Sequence, residues 1–235
     1  MSKIVFENGK EFYGENFGFN KDIIGEVIFN TSMVGYQEVL SDPAYCDKIV
    51  CMSYPIIGSY GLADEDYDPK NIRVKGYIVK EYNDMPSNFR STRIFGEALE
   101  DNGVVGISNI DTRAIVRMIR NEGIMKAMIC EANKPTEECL KEIKAYEEKE
   151  NLVSKVSCKK MWYSRTTNPI ATILVVDCGV KTSLIKELSE NGFNVIVCPY
   201  NTTKDQILRQ KADGIIISNG PGNPNDNEEV ISFVN

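Results

Sequence analysis

The heptapeptide SNGPGNP, residues 218–224, closes the apolar run GIIIS and places two glycines at what should be the carboxyl end of a buried strand. Glycine has no Cβ, so backbone N–H groups in such a loop can approach an anion or a developing negative charge. The chain contains no histidine, which removes the commonest general base. The chemistry on offer is half a site: donors that hold charge, with no partner to move a proton.

A second candidate is Asp177-Cys178-Gly179. Cys178 has two readings, a nucleophile or a buried structural side chain. No histidine can activate it and no nearby Lys or Arg cluster clearly lowers its pKa, so the structural reading is favoured. The string ILVVD also matches the start of a phospho-receiver domain. A receiver needs an acidic pair after its first strand and a phospho-accepting aspartate after its third. Here Asp177 is followed by Cys178, and the third strand ends in Ser218-Asn219-Gly220, so both requirements fail.

The elements that must position these residues are legible nearby. ATILVVDCG (171–179) reads as a continuous apolar strand and VKTSLIKELSENG (180–192) as an amphipathic helix closed by Gly192. FNVIVCPY is a second strand, TTKDQILRQKADG a second helix and IIIS a third strand. Apolar strands alternating with helices predict a parallel sheet covered on both faces, with ligand-facing loops at the carboxyl ends of the strands. Asp177, Gly179 and SNGPGNP then share one rim.

Upstream, residues 1–130 read as short strands and turns with a few helices. Strands are expected at 25–32, at 48–58 (broken at Pro55), at 74–82 and at 104–110; helices are expected at 35–42 and 92–103. Asp111 is placed to cap the helix TRAIVRMIRNEG, with Ile115, Met118 and Ile119 on one face. A charged helix follows over 134–151, with Leu140 and Ile143 inward. Residues 152–170, with little periodicity, are expected to be a linker between a domain at 1–151 and another at 171–235.

Composition bounds the partners. The 235 residues carry 27 Lys and Arg against 34 Asp and Glu, a formal charge of −7, which disfavours nucleic acid and anionic membranes. No apolar stretch is long enough for a bilayer, and the start MSKIVFENGK lacks a signal-peptide core, so a cytoplasmic protein is expected. Seven scattered cysteines without a C-x-x-C pair are read as reduced, buried side chains, with a four-cysteine metal site as the alternative.

SNGPGNP resembles the equivalent loop of class I glutamine amidotransferases. The strings GEVIFNTSMVGYQEVLSDPAY (25–45), SYPIIGSYG (53–61), SNFR (87–90) and NIDTRAIVRMIR (109–120), followed by DCGVK (177–181), resemble carbamoyl-phosphate synthase small chains in order and spacing. The resemblance spans essentially the whole sequence. It implies an α+β, β-rich N-terminal domain of the β/β/α swivelling type. The start of an α/β, flavodoxin-like parallel-sheet amidotransferase domain then follows.

It further implies a glutaminase subunit that supplies ammonia to a large subunit, which uses ATP, magnesium and bicarbonate to make carbamoyl phosphate for arginine and pyrimidine synthesis. No cofactor is expected in this chain. Gly220 and Gly222 match the family positions whose N–H groups help bind glutamine and stabilise the oxyanion. Ala44 stands where many members carry a serine close to the glutamine, and Ser183 replaces a usual asparagine. The family's nucleophilic cysteine and its His and Glu partners lie later than Asn235, so a truncated chain, inert toward glutamine, is expected. The alternative is a naturally short, non-enzymatic module that binds the large subunit. Asp111 and Arg113 also keep two readings, a helix cap with a solvated neighbour or a contact with that subunit.

Overall fold

Strands covered on both faces read as continuous apolar runs, and the first half of the chain is built largely from them. The computed structural model describes residues 1–63, 71–147 and 151–234, divided between two units, Met1–Glu148 and Lys149–Asn235. In the first unit the chain runs β1 (Ser2–Phe6), β2 (Glu11–Gly18), β3 (Ile23–Asn30), α1 (Tyr36–Ser41), β4 (Ile49–Met52) and β5 (Ile56–Ile57). It continues through β6 (Gly76–Ile78), β7 (Glu81–Tyr82), α2 (Phe95–Asp101), β8 (Val105–Ser108), α3 (Thr112–Glu122), β9 (Met125–Glu131) and α4 (Thr136–Ala145). Seven of these strands close into a barrel of order β1-β2-β8-β6-β4-β3-β9.

The two-residue side-chain period divides the barrel residues between separate cores. On β1, Ile4 and Phe6 point into the barrel, while Val5 faces out and packs with Cys139 and Ile143 of α4. On β4, Ile49 and Cys51 point in, whereas Val50 and Met52 face out with Leu40 of α1 and Phe95 of α2. Helix α3 buries Ile115, Val116, Met118 and Ile119 in the interior cluster. Its start is fixed as the sequence predicts, because Asp111 Oδ1 accepts from the Ala114 N–H at 3.0 Å.

The segments expected at 48–58 and 74–82 each divide. Their first parts are barrel strands β4 and β6, and their second parts, β5 and β7, pair with each other in a separate two-stranded sheet. The helix expected over 134–151 ends at Ala145, and residues 148–150 lie outside the described residues.

The second unit contains α5 (Leu152–Val156), β10 (Trp162–Ser164), β11 (Ala171–Asp177), α6 (Thr182–Glu190), β12 (Phe193–Pro199), α7 (Lys204–Arg209), β13 (Gly214–Ile217) and α8 (Glu228–Val234). Strands β12, β11 and β13 are parallel, and β10 joins β12 antiparallel. Residues 152–170 are therefore not a bare linker. Strand β10 and helix α5, whose Val153 sits in the core with Leu174 and Val176, belong to the second unit. Too short to show a period, both hold their places through tertiary contacts. Among the described residues no helix is long and apolar enough to cross a membrane.

Candidate functional site

Strand order places the two candidate motifs side by side. The chain leaves β11 for β12 on one flank and returns to β13 on the other, so the carboxyl ends of β11 and β13 flank the point where the winding reverses. Open α/β sheets bind ligands at such a point. The register Val176↔Ile217 brings Asp177 and Ser218 level.

Asp177 is 4% exposed, and both of its carboxylate oxygens are occupied. Oδ1 accepts from the N–H groups of Gly179 at 2.9 Å and Val180 at 2.8 Å, and Oδ2 accepts from Cys158 N–H at 2.7 Å. A buried carboxylate must be paired or saturated with donors, and backbone N–H groups supply them here. Asp177 therefore shapes the turn into α6, which Gly179 enters at φ 130°, and holds the segment before β10 to the end of β11.

Ser218 ties the second motif to the first. Its N–H donates to Val176 O at 3.0 Å, and its hydroxyl accepts from Cys178 N–H at 3.0 Å while donating to Asn219 O at 2.8 Å. Gly220 then crosses the backbone of Cys178 so closely that a Cβ would lie 2.0 Å from Cys178 O. Glycine at 220 is thus required by packing. Gly222 is glycine for a different reason: its φ is +81°, with nothing nearer than Leu152 Cδ1 at 4.0 Å to a Cβ placed there.

The donors of this loop are left over. Among the described residues, the backbone N–H groups of Asn219, Gly220 and Gly222 donate no hydrogen bond. They border a cavity of about 330 Å³ lined by Val153, Cys178, Ser218, Pro221 and Val230 among others. Free N–H groups beside a mostly apolar hollow suit an acceptor group or an anion held away from water.

Nothing in the described surroundings supplies an attacking group. Burial pushes the Cys178 thiol up to about 11, with the neighbouring Asp177 carboxylate adding to the shift, so it remains a protonated thiol at neutral pH. Burial likewise raises Cys158, to about 12. Among the described residues no group of three or more His, Cys, Asp or Glu is arranged to hold a metal ion.

Gly220 and Gly222 share one loop, whereas Ala44 lies in the first unit. It occupies a 3-10 turn, Pro43–Tyr45, where its N–H donates to Asp42 Oδ1 at 3.0 Å. Its methyl offers no hydrogen bond. Ser183 is exposed in the first turn of α6. Sequence reasoning passed over Ser218, reading it only as part of a turn-forming string. The signal was a hydroxyl immediately after an apolar strand, where it can reach the neighbouring strand's loop.

Comparison with known proteins gives two family matches. Residues 4–129, more than half of the chain, match the model of the carbamoyl-phosphate synthase small chain, CPSase domain, and residues 174–235 match the class-I glutamine amidotransferase model. Among similar proteins, the carbamoyl phosphate synthase small chain of Fusobacterium nucleatum is 40% identical over 99% of this chain. The pyrimidine-specific small chain of Bacillus subtilis is 42% identical over 99%, and that of Halalkalibacterium halodurans is 39% identical over 99%. The chain spans 63–64% of the length of these relatives.

Proposed function

Because the chain belongs to the carbamoyl-phosphate synthase small-chain family, we propose that it is part of a glutamine-hydrolysing subunit and that its second unit contributes binding and charge stabilisation rather than attack. The observation that carries this reading is the set of unspent N–H groups at Asn219, Gly220 and Gly222 beside the cavity. In this reading the donors of Gly220 and Gly222 hold the glutamine carboxamide oxygen. They tighten as it gains negative charge, where preorganised donors contribute most. The proton and the nucleophile come from groups other than those described, since Cys178 stays protonated and the chain has no histidine. Ala44 supplies shape in place of a hydroxyl.

Ammonia released there passes, in this proposal, to a cytoplasmic large subunit that uses ATP and bicarbonate to make carbamoyl phosphate for arginine or pyrimidine supply. Exposed apolar side chains on the first unit support such a partner: Met33, Val34, Met85 and Phe89 all lie on its surface. Helices on the outer faces of the barrel support placing that unit with the β/β/α swivelling domains. The parallel order β12-β11-β13 supports a flavodoxin-like second unit.

Titration of the purified chain with L-glutamine, followed by amide NMR, tests the site. The resonances of Gly220 and Gly222 should shift first, with no steady ammonia release. Shifts confined to residues away from 218–224, or sustained glutaminase turnover, would overturn the assignment.

A further inference from the structure

Strand alternation and helix periodicity bring two thiols together on the outer face of the barrel. On β9, Met128 and Cys130 face outward, and on α4, Cys139 and Ile143 lie one turn apart on the face that covers them. The Cys130 and Cys139 sulphurs are 3.6 Å apart, in van der Waals contact. The chain reverses between them, where Lys134 N–H donates to Glu131 O. Both thiols are buried and free, and the glutamine site proposed above uses neither. A bond needs the sulphurs to close to about 2.0 Å, an approach of roughly 1.6 Å within reach of side-chain rotation and a small shift of the helix.

The surroundings favour reaction over inert packing. Lys3 is the register partner of Cys130 and lies on the outward side of β1 with Val5. It is buried, and its ammonium donates to Glu11 Oε2 at 3.0 Å and Thr136 Oγ1 at 3.1 Å. Its third N–H makes no hydrogen bond among the described residues, which leaves it for a thiolate, the form of cysteine that attacks. Helix α4 docks through Cys139, Ile143 and the half-buried Leu140, a shallow contact of the kind that opens locally. Burial pushes the Cys130 thiol up to about 12, the hydrogen bond with Cys139 adds to the rise, and Lys3 opposes it. The pair therefore rests reduced until α4 opens.

We propose that Cys130 and Cys139 form a modification site at which a peroxide closes a disulfide, stapling α4 to β9. A peroxide is the fitting oxidant because it is small and uncharged, and the thiols are 3% and 0% exposed. The Cys130 thiolate, beside Lys3, attacks one peroxide oxygen; the O–O bond breaks, a sulfenic acid forms, and hydroxide leaves to take up a proton as water. The Cys139 thiolate then attacks the sulfenic sulphur. The S–S bond forms, the S–O bond breaks and a second water departs. Two thiols have lost two electrons in all, and one hydrogen peroxide has been reduced to two waters.

The experiment treats the folded chain with hydrogen peroxide, alkylates the remaining thiols with iodoacetamide under denaturing conditions and reads tryptic peptide masses. Trypsin does not cut before Pro135, so both cysteines fall in one peptide, residues 127–141. That peptide should emerge two hydrogens lighter and unalkylated, and dithiothreitol should restore both alkylation sites. Cys139→Ala should stop at a sulfenic acid on Cys130 that dimedone captures, and Lys3→Met should slow closure about threefold with both thiols kept. The disulfide should also move the urea transition of the first unit upward by about 1 M, reversibly. Full alkylation of both cysteines, at a peroxide dose that oxidises the exposed Met33 and Met85, would overturn the proposal without any variant having to fold. So would a bond from Cys130 to any of the other five cysteines, or a Cys130–Cys139 bond that leaves the urea transition in place.

Discussion

Seven strands of the first unit pair into a ring in which each has two neighbours, whereas β13 in the second unit pairs, among the described residues, with β11 on one side only. Both units use glycine to bring backbones together, but with different consequences. In the barrel, a Cβ on Gly14 would lie 2.2 Å from Ser108 O and one on Gly106 would lie 2.3 Å from Phe17 O, so these glycines serve strand packing alone. In the second unit, Gly220 packs as tightly on Cys178, yet the loop around it keeps N–H groups that donate to nothing among the described residues. A glycine at a close approach is therefore weak evidence for a ligand, and an unspent donor beside it is the stronger sign.

If the units are as independent as their separate cores imply, they should unfold separately. Trp162 is the only tryptophan and lies on β10, so its fluorescence reports the second unit, while circular dichroism reports both. Phe95 is fully buried among the rings of Phe17, Tyr36 and Tyr77. Truncation by Phe95→Ala should cost about 3–5 kcal/mol. Urea titration should show the dichroism transition moving to lower denaturant while the Trp162 transition stays in place. Movement of both by the same amount would break the comparison.

The two units also differed in how far they could be read from sequence. The parallel strands β11, β12 and β13 were visible because each is a single apolar run between helices, and connection rules then dictate their neighbours. Barrel closure was not visible. It depends on β1 pairing with β2 on one side and with β9 on the other, partners more than a hundred residues apart, and nothing in SKIVF specifies either. The run VKGYIVKEY advertised β-propensity but not its division between two sheets, since propensity carries no information about partners. At the candidate site, Gly220 and Gly222 stood out by composition. The carboxylate of Asp177 holding Cys158 did not, because those residues are distant in sequence.

Within the second unit, substitutions at the two loop glycines separate packing from conformation. Gly220→Ala would press a methyl against the carbonyl of Cys178, a backbone atom that cannot swing aside, and should lower the Trp162-reported stability by about 1–3 kcal/mol. Gly222→Ala has room but must adopt a positive φ, for a loss of about 1–2 kcal/mol. A harmless Gly220→Ala would contradict the close crossing of the two loops.

The thiols give the comparison a pH dependence. Folding raises Cys178 from 9.0 to about 11, so the unfolded chain loses its proton first, and the stabilisation present below pH 9 is lost as pH rises toward 11. Cys158 and Cys198 shift in the same direction, so Cys178→Ala should reduce, not abolish, the alkaline slope of the Trp162 transition. An unchanged slope would mean that Cys178 is not held as a protonated thiol.

The smallest effect concerns the open edge. Ile215 and Ile217 on β13 are 48% and 44% exposed, an apolar row beside unpaired strand groups. Edge strands of this kind invite pairing with another chain, and lysine is a common safeguard against it. Ile215→Lys and Ile217→Lys, introduced together, should change folding stability by no more than about 0.5 kcal/mol per site, since little buried area is lost. The same pair should reduce self-association at high protein concentration in sedimentation velocity, while an equivalent exposed change in the barrel, Tyr13→Lys on β2, should leave it unaltered. The barrel site is suited to this role because β2 lies inside the closed ring, paired with β1 along Glu11–Gly14 and with β8 along Glu15–Gly18, and its 56% exposed tyrosine is itself paired with Lys3. Equal reduction at both places would show that apolar exposure, rather than the missing strand neighbour, governs association.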